Sequence, residues 1–67
     1  MEHKYTSMIR IGEVCRRTGL SKSQVHRLTA EFGFPEPVKL GKRATAWIEA
    51  EVERWLQERI AATREVA

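Results

Sequence analysis

IGEVCRRTGLSKSQVHRL, residues 11–28, reads as two short helices joined by a tight turn. Ile11, Val14, Cys15 and Thr18 recur at three- and four-residue spacing, which places them on one face of a first helix. Gly19 stands one step past that stripe, where it can take the left-handed conformation that closes a helix, and Leu20 can fold back beneath it. Ser21 and Gln24 have the S-x-x-Q spacing of a capping box and open a second helix. Val25, Leu28 and Phe32 give that helix its own apolar stripe, and Gly33 is expected to stop it. Helices this short, joined through Gly-Leu-Ser, are expected to cross steeply as a helix-turn-helix. Cys15, Gly19 and Val25 also fit the small, Gly, β-branched pattern of helix-turn-helix DNA-binding proteins.

The wheel of the second helix carries the functional reading. With its apolar stripe turned inward at about 100° per residue, Ser23, Arg27 and Ala30 point away from the core, flanked by Lys22 and His26. A narrow, polar and basic ridge of this kind fits the major groove, where side chains reach base edges. Lys22, Ser23, His26 and Arg27 are the expected base readers, Arg27 being best suited to a bidentate contact with guanine. Gln24 could cap or read, and capping is the favoured role. Ser21 both caps the helix and sets its N-terminal amides toward a phosphate.

Downstream, Phe34-Pro35-Glu36-Pro37 forces an extended turn, with Phe34 as a core plug. Residues 38–47 then read as a hairpin with Lys42 and Arg43 at its tip and Lys39 close by. So short a hairpin is barely stable alone and must pack on the helices, with Val38, Leu40 and Trp47 as the expected contacts. A cationic turn beside a recognition helix is what a wing needs to reach phosphate or the neighbouring minor groove, although Lys and Arg are also ordinary turn-surface residues. Arg16 and Arg17 face outward on the first helix, either touching phosphate or simply solvated, and Arg17 is the better placed for phosphate. Residues 48 to about 63 form the longest helix, with Val52, Trp55, Leu56 and Ile60 as its stripe and Arg59 alongside. Glu49, Glu51 and Glu53 lie early in it and Arg64 late, as the helix dipole favours. Trp47 and Trp55 are read as core; an exposed Trp55 would instead mark an oligomer interface.

Sixty-seven residues make one small domain. The expected organisation is a flexible leader over 1–7, a single three-helix winged helix-turn-helix domain over 8–64, mainly α with a small β-hairpin, and a frayed end over 65–67. Residues 8–10 are a candidate for a very short strand. Residues 1–43 hold nine Lys or Arg against four Glu, whereas 44–67 hold three Arg against five Glu. A basic front with an acidic back suits a module that lays one side on a polyanion. With one cysteine, two distant histidines and no Asp, neither a disulfide nor a metal cluster is expected. Cys15 reads as a small buried hydrophobe, and no group is spaced to activate it or His26, so neither an enzyme nor a cofactor is expected. No apolar run approaches a membrane span or a signal peptide, which gives a cytoplasmic expectation.

The string from Ile9 to Ile60 resembles the AlpA family of phage and prophage regulators, small winged-helix relatives of MerR-like and excisionase DNA-binding domains. The resemblance rests on EVCRRTGLSKSQVHRL, FPEPVKLGKRATAW and WIEAEVERWLQERI, in the family's order and spacing. Family members commonly carry an aromatic where this chain has His26 and a proline where it has Gly12. The resemblance implies a transcriptional regulator of an integrated element, or in some relatives an excision factor that bends DNA. Double-stranded DNA is thus the expected partner, read either by a homodimer on half-sites or by copies assembling cooperatively along the duplex. The rival from another class is an adapter that docks a recombinase or polymerase subunit.

Overall fold

In the computed structural model, which describes residues 5–65, the chain runs β1 (Met8–Ile9), α1 (Ile11–Thr18), α2 (Lys22–Ala30), β2 (Val38–Lys39), β3 (Thr45–Ile48) and α3 (Glu49–Glu65). Residues 1–4 of the expected leader and 66–67 of the expected frayed end lie outside the described residues. The strands form one antiparallel sheet in the order β1-β3-β2. Met8 faces Ile48 and Ile9 faces Trp47, while Val38 faces Ala46 and Lys39 faces Thr45. Three helices with a small sheet are the winged arrangement read from the sequence, and the short strand expected over residues 8–10 is present as β1 over Met8–Ile9, with Arg10 as the residue preceding α1.

The turn between α1 and α2 forms as its residues dictate. Gly19 lies at φ 78°, its amide donating to the Cys15 carbonyl at 2.8 Å. Thr18 donates its hydroxyl to the Val14 carbonyl and accepts the Leu20 amide, which ties the turn to the helix it leaves. Ser21 and Gln24 make both halves of the capping box, at 3.1 and 2.9 Å. Arg10 provides no side-chain cap for α1, so that helix leans on packing through Val14, which is fully buried.

The core draws on every element but β2: Ile9 from β1, Val14 from α1, Val25 from α2, Phe34 from the connecting loop, Trp47 from β3 and Val52 from α3. Cys15, Leu20, Leu28 and Trp55 pack on it from partly buried positions. Both indole N–H groups donate to loop carbonyls, Trp47 to Pro35 at 3.1 Å and Trp55 to Gly33 at 2.7 Å. The ring of Phe34 meets Trp55 edge-on at 4.8 Å between centroids. A large ring whose polar edge is satisfied brings apolar area into a small core without a desolvated donor.

Four expectations need correction. Phe32 does not continue the inward stripe of α2, because the helix ends at Ala30 and Phe32 itself takes the left-handed conformation, φ 61°, with 83% of its surface exposed. Phe34, two residues on, fills the core in its place. Gly33 likewise does not itself stop the helix, which ends three residues earlier at Ala30, although its amide closes the helix end on the Leu28 carbonyl at 2.8 Å. Val38 and Leu40 do not anchor the hairpin. Both are exposed, since pairing to β3 turns the buried contact over to Ala46 and Trp47. Finally, Ile60 is exposed, because α3 outruns the small domain it packs on and only its first half meets the core.

Candidate nucleic-acid interface

The second helix presents its polar residues as its periodicity requires. Val25 is fully buried beneath them, and Lys22, Ser23, His26 and Arg27 are all exposed. Among the described residues, none of these four side chains makes a hydrogen bond or an ion pair, so each is available to an outside partner. Gln24 is committed to the cap, and Thr29 spends its hydroxyl on the Val25 carbonyl at 2.8 Å.

The hairpin follows α2 through the 31–37 loop. Its tip is closed by the Leu40 amide on the Ala44 carbonyl at 2.6 Å and by the Gly41 amide on the same oxygen at 3.2 Å. Lys39, Lys42 and Arg43 are exposed there and unpaired among the described residues. Trp47 anchors the far strand in the core, which holds this cationic loop against the body of the domain.

Arg17 is placed differently from the other candidates. Its Nε donates to Glu13 Oε2 at 2.8 Å and its Nη1 to Glu49 Oε2 at 2.7 Å, bridging α1 to the first turn of α3. Arg16 also grips Glu13, through two hydrogen bonds. Those bonds from Arg16, and then from Arg17, hold the Glu13 carboxyl below the usual carboxylate range. Hydrogen bonds to Glu13 and then Glu49 raise the already high value of the Arg17 guanidinium. The Glu13 to Arg17 spacing of four residues was open to sequence reading. Glu49, thirty-two positions away, was not.

Residues 7–60 match the family described as Prophage CP4-57 regulatory protein (AlpA). The chain belongs to the AlpA family. This match covers both helices of the turn, the hairpin and most of α3. The AlpA-family chain is also similar to the uncharacterized protein ORF88 of Enterobacteria phage P4, with 40% identity over 53 residues. The matched region covers 79% of this chain and 60% of that phage protein, so the chain spans less than two thirds of its relative. No solved structure matches significantly. Among the described residues no group of His, Cys, Asp or Glu could hold a metal ion, and no helix is long and apolar enough to cross a membrane.

Proposed function

We propose that this AlpA-family protein is a sequence-specific double-stranded DNA-binding regulator of a prophage or similar mobile element. In this reading α2 lies in the major groove, with Lys22, Ser23, His26 and Arg27 against base edges. The β2–β3 hairpin lies alongside as a wing, with Lys39, Lys42 and Arg43 on phosphates. The capped start of α2 at Ser21 turns its amides toward a phosphate. Arg17 is a secondary backbone contact, because it must share its guanidinium with Glu13 and Glu49.

The observation that carries the reading is the state of the α2 ridge: four polar side chains, all able to donate hydrogen bonds and three of them potential cations, exposed and unengaged over a fully buried Val25. Arg54 and Glu58 on α3, by contrast, pair along the helix surface. Gel-shift titrations against a duplex selected from a random pool, and against scrambled duplexes, test the reading. Arg27→Ala should relax base preference at its position by about 1–3 kcal/mol. Lys42→Ala should weaken all duplexes alike and reduce the salt slope by about one. If both variants bind every duplex as the parent does, α2 and the hairpin are not the interface.

A further inference from the structure

An open cleft that the DNA reading does not use lies between the 32–36 loop and α3. It has a volume of about 570 Å³, with Phe32, Pro35 and Trp55 as its main apolar lining. Glu36 and Glu51 also line it, and among the described residues neither has a hydrogen-bond or ion-pair partner. Arg54, the cation present there, is paired with Glu58 at 3.4 Å. Phe32 is held in a left-handed conformation that a bulky residue rarely adopts, with its ring in solvent. Apolar walls with uncompensated carboxylates select an occupant that carries an apolar side chain between cations.

The chain carries such a segment itself. Leu40 is 55% exposed at the hairpin tip, with Lys39 before it and Lys42 and Arg43 after it. We propose that the hairpin tip of one copy seats in the acidic cleft of a second copy, with Leu40 against Phe32 and Trp55 and the cations beside Glu36 and Glu51. Donor and acceptor patches differ, so the association is head-to-tail and does not close as a symmetric pair. A loop in a cleft buries less than a stable interface needs, and the contact is therefore weak and salt-sensitive. The proposal does not rest on the DNA reading. Where both hold, Lys39, Lys42 and Arg43 cannot serve carboxylates and phosphates at once, so self-association and DNA binding compete.

Sedimentation equilibrium of the full chain, without nucleic acid and at low salt, tests this from about 10 μM to about 1 mM, the range that brackets micromolar to millimolar dissociation constants. The average mass should rise with concentration and continue past that of a dimer. A Glu36→Lys, Glu51→Lys variant and a Lys39→Glu, Lys42→Glu, Arg43→Glu variant should each stay monomeric, and an equal mixture of the two should associate again. Phe32→Asn, which relieves the backbone and so keeps the fold, should weaken association at least threefold; circular dichroism of every variant verifies folding. A monomer at the highest concentration, a dimer insensitive to charge reversal, or a mixture that fails to associate would each overturn the proposal.

Discussion

Replacing Phe32 by Asn should stabilise the protein, although it removes a large apolar side chain. At φ 61° a non-glycine residue carries a left-handed penalty of roughly 1–2 kcal/mol, and Asn is among the few residues that tolerate the region. Against this stands the little apolar surface that the ring buries. With 83% of the residue exposed, only about a sixth of a side chain of roughly 200 Å² leaves water, about 35 Å². At about 25 cal/mol per Å² that is ~0.9 kcal/mol, an upper estimate because the unfolded chain also shields its rings. The balance favours Asn by up to about 1 kcal/mol, which for a domain of this size raises Tm by roughly 4–8 °C per kcal/mol. Thermal unfolding followed by circular dichroism, with urea titration as a second measure, gives the sign directly. A drop in stability of more than about 0.5 kcal/mol would mean that the ring is held by packing its exposure conceals, and would refute backbone strain as the dominant effect at this position.

Further outcomes follow from the caps and ion pairs. Ser21→Ala removes one half of a complete capping box and should cost about 1 kcal/mol in urea unfolding, with the effect confined to stability unless the serine also positions phosphate. Glu49→Gln releases Arg17 from α3; if Arg17 then reaches phosphate, the salt slope of DNA binding should steepen by up to about one, and an unchanged slope would assign Arg17 to holding α1 against α3 only. Because the folded chain depresses the Glu13 carboxyl, its ion pairs stabilise the protein above the ordinary value of 4.5 and lose that effect as pH falls through the lowered one. The acid limb of stability should therefore be shallower in Glu13→Gln, and two superimposable pH profiles would count against the Glu13 ion pairs as contributors.

Much of this architecture could be read locally. The Gly19 turn and the Ser21–Gln24 box depend on residues within four positions of one another, so their chemistry is complete in the sequence. The exposed ridge over Val25 follows from helical periodicity alone. What escaped depended on partners far along the chain. Glu49 has no capping residue before it, yet its amide is satisfied by the Ser7 carbonyl at 2.9 Å, an arrangement created by β1 pairing with β3. Phe34 was legible as a core plug, but Phe32 was not legible as exposed, since its spacing from Leu28 fits the α2 stripe; the carbonyls of Gly33 and Pro35, taken by the two tryptophans, show how the loop that turns it outward is fixed. Val38 and Leu40 looked inward because a hairpin needs a buried face, but the neighbouring Ala46 and Trp47 already supply it.

Strand β3 ends at Ile48 and α3 starts at Glu49, with no connecting residue between them. The middle strand of the sheet thus runs straight into the longest helix, and that strand is paired with β1 on one side and with β2 on the other. A single residue inserted at this joint would rotate α3 by about 100° and carry Trp55 away from Phe34. The edge-on contact of Phe34 with Trp55 thus depends on the register of this one peptide junction.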